Sequence, residues 1–210
     1  MMLKELVKKI SFFKDSEYFQ SGLLRSIKTE TKLLEERTIV NNFLSLLIDS
    51  KFDYDFILSI LFSELYMNIC QHSESEQSFY YFSKCNSENS IEIIFFDTGV
   101  GIPNKIRAYY KNKTFESDSE CIEFALQNDV TTKSFIQNYG RGLDNVKSCI
   151  SSYCGEFQIF SGNGKFSFDG TKYIKRSLSK KINGTMVFIK INLNNLTIKQ
   201  DNDYSNELTF

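Results

Sequence analysis

Apolar residues recur at helical spacing through the first quarter of the chain and in short alternating runs through much of the rest. Leu3, Leu6, Val7 and Ile10 lie three and four apart, and a second helical pattern runs from about Leu23 to Leu47, so residues 1–50 read as helices. Asp53 or Asp55 is placed to cap a further helix reaching about His72. Ser73 to Ser78 is polar and turn-like. Phe79 to Phe82 and Ile91 to Phe96 then read as strands joined by the polar stretch 84–90. Residues 104–139 are polar and mixed, with one helix expected from about Asp118 to Asn128, where Ser117 and Glu120 stand as a capping box. Another helix opens at Gly142 and runs to about Tyr153, with Gly155 at its C′ position. Strand-like stretches follow at Glu156–Ser161, Lys165–Phe168, Thr171–Lys175 and Thr185–Leu193, and the tail from Thr197 is polar and expected to fray. The expected fold is a two-layer α/β (α+β) sandwich, its strands mostly in hairpins, preceded by a helical extension.

Composition narrows the function classes. A chain of 210 residues, 41% hydrophobic and 24% charged, is of the globular type and buries a full core in one domain. The net charge of −1 argues against a non-specific nucleic-acid binder, although Lys172 to Arg176 and Lys180–Lys181 form a local basic stretch. Five cysteines show no Cys-x-x-Cys spacing and there is one histidine, so a zinc or redox cluster is not expected and reduced thiols are. No run reaches the roughly 18 apolar residues of a membrane span. The N-terminal apolar stretch is interrupted by charges, unlike a signal peptide, so a cytoplasmic location is expected.

Candidate chemistry begins on the helix before His72. Glu64, Asn68 and His72 are spaced i, i+4, i+8 and share one face, with Leu58, Leu61, Leu65 and Ile69 on or beside it. Polar groups along an apolar stripe are costly unless something satisfies them. A solvated core boundary accounts for the spacing equally well. Asp97 ends an apolar strand and is followed by Gly99 and Gly101. A carboxylate there can accept a hydrogen bond from an exocyclic amine, and the glycines let backbone approach a flat ring; a plain tight turn has the same spelling. Gly140-Arg141-Gly142-Leu143 places glycines at a helix start, where free N–H groups and the dipole suit phosphate.

In this order and setting, the segments resemble the motifs of the GHKL superfamily of ATPases, which includes DNA gyrase B subunits, heat-shock chaperone ATPases, sensor histidine kinases and mismatch-repair ATPases. Glu64-x-x-x-Asn68 resembles the N box, Asp97-Thr-Gly99-Val-Gly101 the G1 box, Gly140-Arg-Gly142-Leu143 the G2 box, and Gly184-Thr185 the last box. The resemblance covers about residues 54–193 and implies the Bergerat-type sandwich, a mixed sheet packed on helices, with ATP and Mg²⁺ between the helical layer and a lid. It implies an ATP-binding domain, taken as 51–195 with its lid at about 104–139, and leaves 1–50 unexplained; these read as a helical extension, and 196–210 as a polar tail. By resemblance, Asn68 ligates Mg²⁺, Asp97 accepts from adenine, and Thr185 supports that contact. Gly99, Gly101, Gly140, Gly142 and Leu143 shape the site, and His72 lies beside the nucleotide. Glu64 matches the general base of members that hydrolyse ATP or transfer its phosphate. Gln71 departs from the Lys or Arg common in sensor kinases, which leaves Lys133 and Arg141 as candidate phosphate cations.

With one histidine, already in the N box, the chain is not a complete histidine autokinase. The spelling resembles small stand-alone members such as the anti-sigma serine kinases of bacteria. That implies a regulatory ATPase or serine/threonine kinase in bacterial signalling, acting on a protein partner that is a regulator or phosphoacceptor. The alternative is a nucleotide-gated binding module without turnover. The helical pattern before residue 50 is compatible with a homodimer interface; no membrane or direct nucleic-acid contact is expected.

Overall fold

The computed structural model describes residues 16–25, 30–55, 57–70, 75, 77–127, 130 and 142–198. Five strands form one sheet in the order β1-β2-β3-β5-β4, from β1 (Ser16–Arg25), β2 (Gln77–Cys85), β3 (Ser90–Asp97), β4 (Glu156–Phe168) and β5 (Tyr173–Asn192). Every ladder among these strands is antiparallel, so the mixed sheet of the family expectation is antiparallel throughout the described residues. The expected two-layer α+β sandwich is observed, with helices packed against the sheet.

The hairpins follow the alternation of the sequence. On β3, Ile91, Ile93 and Phe95 enter the main core with the helices, while Ile94 and Phe96 join Met186 and Phe188 in a second cluster. All eight residues of β3 are buried. The expected strands Glu156–Ser161 and Lys165–Phe168 are one strand, as are Thr171–Lys175 and Thr185–Leu193 apart from a shift of bounds. Their register breaks between Ser161, Gly162 and Gly164, so that Gly162 faces Ile182 but Gly164 faces Ser177.

Residues 16–25 correct the helical reading of the N-terminal fifty. They form β1, paired with the free edge of β2 from Tyr18↔Lys84 to Arg25↔Gln77. Edge pairing satisfies a row of backbone donors and acceptors that β2 otherwise leaves open, which outweighs the weak helical spacing around Leu23. The first expected helix, at Leu3 to Ile10, lies outside the described residues. The second survives in shortened form as α1 (Glu30–Leu47). It is part of the domain rather than an appendage. Val40 and Leu44 are wholly buried in the main core, and Tyr80 donates a 2.6 Å hydrogen bond to the buried Glu36 carboxylate. Burial, helped by that bond, pushes the Tyr80 phenol well above its ordinary pKa. At the other end of α1, Lys84 Nζ donates to the Leu47 carbonyl at 3.1 Å.

The helix expected to reach His72 begins with π winding at Ile57–Phe62 and continues as α2 (Ser63–Asn68). Of the two candidate caps, Asp53 accepts the Asp55 N–H at 3.0 Å. Phe62 is fully buried and meets Tyr80 edge-on at 5.3 Å and Phe95 at 5.4 Å. Pairs of this geometry contribute about 0.5–1.5 kcal/mol beyond their buried area.

Two helices occupy the start of the expected lid. α3 (Ile102–Tyr109) was not legible as a helix because only Ile106 and Pro103 are buried along it. α4 (Asp118–Ala125) is the expected one: Ser117 Oγ accepts the Glu120 N–H at 3.2 Å, while Glu120 reaches back to the N–H of Glu116 rather than Ser117. Arg107 pairs with Asp118, whose other oxygen accepts the Asn163 N–H at 2.7 Å, so both helices are pinned to the β4 irregularity. α5 (Gly142–Ser152) starts where expected. Its end differs: Cys154, not Gly155, takes the left-handed conformation (φ +50°), and the Gly155 N–H closes on the Ile150 carbonyl at 2.9 Å. Order also extends past residue 196, since Thr197 accepts the Asp53 N–H at 2.8 Å and Ile198 bridges Phe52. No helix among the described residues is long and apolar enough to cross a membrane.

Glu92 is a buried carboxylate on β3, 3% exposed, opposite Lys190 and Ser83. Burial pushes its pKa up to about 7, against the lowering effect of Lys190 and of the Ser83 hydroxyl. A folded pKa above the unfolded one favours the fold at low pH, and that contribution is lost as pH rises from about 4.5 through about 7. Glu92→Gln is therefore expected to stabilise the protein above pH 7 by on the order of 2–3 kcal/mol and to flatten the pH dependence of urea unfolding across that window.

Candidate functional site

The ladder between β3 and β5 sets Asp97 opposite Thr185, joining two motifs far apart in sequence. Their approach is unusually close. At Gly184 (φ +90°) a Cβ would stand 1.9 Å from the Asp97 carbonyl oxygen, so neither the space nor the backbone conformation admits a side chain. Gly101 (φ +78°) faces the same junction: its Cβ would meet Ser161 Oγ at 2.8 Å and the Gly184 carbonyl at 3.0 Å.

Asp97 is 6% exposed. Its Oδ1 accepts the Gly99 N–H at 2.8 Å, and the Thr185 backbone also hydrogen-bonds its carboxylate. Burial pushes its pKa up to about 6, with those two backbone bonds acting in the opposite direction. Near pH 7 the group is mostly ionised and acts only as an acceptor. Next to it, Thr98 donates its N–H to Ser75 Oγ at 3.2 Å, which ties the glycine loop to the segment following α2.

Ser161 was not legible from the sequence. Its hydroxyl is wholly buried and joins three strand and helix ends: it donates to the Gly184 carbonyl at 2.7 Å, accepts the Ile102 N–H at 3.0 Å, and lies 3.1 Å from Thr185 Oγ1. A serine at a strand irregularity has no spacing that marks it, because its partners lie at 102 and 184–185.

A second group of candidates lies on α2. Glu64 and Asn68 are half-buried, one turn apart. Asn145, in the first turn of α5, donates to Glu64 Oε1 at 3.1 Å, which joins the N-box helix to the helix that Gly142 opens. Leu143 packs against the main core beside it. Asn145 also escaped the sequence reading; its place one turn into a glycine-led helix is ordinary. The Asn68 Nδ2 is buried and has no hydrogen-bond partner. An unpaired buried amide costs about 1–3 kcal/mol, so Asn68 is a side chain the fold itself does not satisfy. No group of three His, Cys, Asp or Glu residues able to hold a metal occurs among the described residues.

The structure thus joins Asp97, Gly99 and Thr185 by hydrogen bonds, packs Gly101 against the same junction, and sets Glu64 against the first turn of α5, which begins at Gly142. His72, Lys133, Gly140 and Arg141 lie outside the described residues. The basic stretch at 172–181 runs from the turn before β5 into its exposed half, where Lys175 pairs with Glu123.

No family model and no curated protein sequence matches the chain. Among solved structures it is similar to the ATPase region of Saccharomyces cerevisiae topoisomerase II, with 19% identity over 56% of this chain and 33% of that one, at a TM-score of 0.32. The same region bound to ICRF-187 (dexrazoxane) matches with 20% identity, the same coverage and the same TM-score. The chain spans about a third of the length of those structures. A likeness of this size carries no assignment, and function rests on the site itself.

Gly184→Ala is expected to destabilise the protein by about 3 kcal/mol or more, because a methyl group at that φ must push β5 away from Asp97. Urea unfolding beside wild type checks it, and wild-type stability would refute the close packing.

Proposed function

We propose that this protein binds Mg-ATP and cleaves its γ-phosphate, by hydrolysis or by transfer to a protein partner in bacterial signalling. The observation that carries the proposal is the junction of Asp97 and Thr185: a buried, ionised acceptor held at a strand end by backbone N–H groups, beside a hydroxyl and glycines that let the backbones close in. That arrangement suits an exocyclic amine on a flat ring, which offers protons and needs close approach. The resemblance of the motifs to GHKL ATPases supplies the identity of the ring as adenine.

Asn68 fits a role in holding Mg²⁺. The cation role falls to Oδ1, since a hard cation bound mainly by phosphates and water needs few protein oxygens; the unpartnered Nδ2 is a donor and suits a phosphate oxygen instead. When bound, the cation would offset charge on the phosphates; Asn68 Oδ1 would supply one ligand. Glu64 stands one helical turn away and takes the part of general base. In that role it accepts a proton from water or a partner's hydroxyl as the oxygen attacks the γ-phosphorus. The bond to the β-phosphate oxygen breaks and ADP leaves. Gly142 at the start of α5 suits the phosphates, since a helix N-terminus presents free N–H groups.

Two substitutions separate binding from turnover. Asp97→Asn keeps the shape but turns an acceptor into an amide. It is expected to weaken ATP binding by about 2 kcal/mol, roughly thirtyfold, by calorimetry near pH 8; unchanged affinity would remove Asp97 from the base contact. Glu64→Gln is expected to leave ATP affinity within a few-fold and to cut ADP formation by about a hundredfold or more. ADP formation that persists in the variant would exclude Glu64 as the base. Absence of turnover in wild type, with tight binding, would favour a switch that grips its partner without hydrolysis.

A further inference from the structure

The hydroxyl protons around Ser161 can be counted. Ser161 Oγ carries one proton and two lone pairs. The Gly184 carbonyl at 2.7 Å can only accept, so it takes the Ser161 proton. The Ile102 N–H at 3.0 Å can only donate, so it occupies one lone pair. One lone pair remains, and the neighbour left for it is Thr185 Oγ1 at 3.1 Å. With the Ser161 proton committed elsewhere, the Thr185 hydroxyl must donate to Ser161. Its own proton is then used, and toward the site it offers lone pairs alone. Across the ladder, Asp97 likewise offers only acceptor oxygens.

We propose that Ser161 is a specificity-determining residue: by holding the Thr185 hydroxyl as an acceptor, it makes the base pocket read an amine and reject a carbonyl at the same ring position. Ser161 itself lies behind Thr185 and acts through it. It is wholly buried, so it has no surface to offer a ligand. The inference rests on the nucleotide reading of the Asp97 site. It goes further in assigning the discrimination between 6-amino and 6-oxo purines partly to a residue outside every motif. If Thr185 were free to rotate, its hydroxyl would donate to an oxo group as readily as it accepts from an amine, and that part of the discrimination would vanish.

The test compares ATP with inosine triphosphate, which carries a 6-oxo group in place of the amine and, with it, a proton on N1, by calorimetry near pH 8, where Asp97 is ionised. Wild type should favour ATP by roughly a hundredfold. In Ser161→Ala the Thr185 hydroxyl is released, and the ratio of the two affinities should fall about tenfold, mainly through tighter binding of inosine triphosphate. A structural loss alone would weaken both ligands together and leave the ratio unchanged, which would overturn the proposal while leaving the nucleotide site intact. Wild type that binds neither ligand would overturn the nucleotide reading and this inference with it; wild type that binds both equally would overturn this inference and the base contact while leaving a nucleotide site. Because Ser161→Ala strands the Ile102 N–H, Thr185→Val is run beside it. With no hydroxyl to accept, Thr185→Val should lose ATP affinity about tenfold and leave inosine triphosphate nearly unchanged; equal losses for both would count against the acceptor role of Thr185.

Discussion

The contact between the Gly184 backbone and the Asp97 carbonyl is the constraint on which the rest depends. It brings β5 so close to β3 that one residue type fits. From it follow the position of Thr185 opposite the carboxylate, the reach of Ser161 from β4 into the junction, and the lack of room for a side chain at Gly101. Ser161 then anchors the first N–H of α3, so the helices that follow the glycine loop are positioned by the same point. Desolvation of Asp97 is a consequence of this crowding, and two backbone hydrogen bonds offset part of its cost.

Much of this was readable in the chain, and the parts that were not share a physical cause. Period-two runs gave the β2–β3 hairpin and the core halves of β4 and β5, because one side of each faces the helices. Ser117 announced α4 through a local hydrogen bond. Glu64, Asn68, Asp97 and Thr185 stood out through their motifs. β1 did not, because its strand state rests on an edge that only the folded sheet presents. α3 did not, because two buried residues make too narrow a stripe. Ser161 and Asn145 act through partners from distant segments, and neither spacing nor local composition can signal such a contact.

The helical layer carries its own division of labour. α1 is bound to the sheet through a buried Tyr80–Glu36 hydrogen bond and aliphatic packing, and the π-wound turn before α2 seats Phe62 in the aromatic centre. α2 therefore presents Glu64 and Asn68 from a helix fixed at its base. α5 meets it through Asn145, so the two helices that would flank the phosphates share a polar contact in addition to the core they both enter. Polar contacts of this kind constrain direction more than they add stability, since their net worth is about 1 kcal/mol.

β3 is buried along its whole length, flanked by strands on both sides, and ends in Asp97. In hydrogen-exchange language, such a strand belongs to the last cooperative unit to open, and its amides exchange only when the whole domain unfolds. The base-contact carboxylate is therefore mounted on the most protected part of the molecule. Local fraying at the helices or the β4–β5 arm can alter what reaches the site, but it cannot displace Asp97 without loss of the fold.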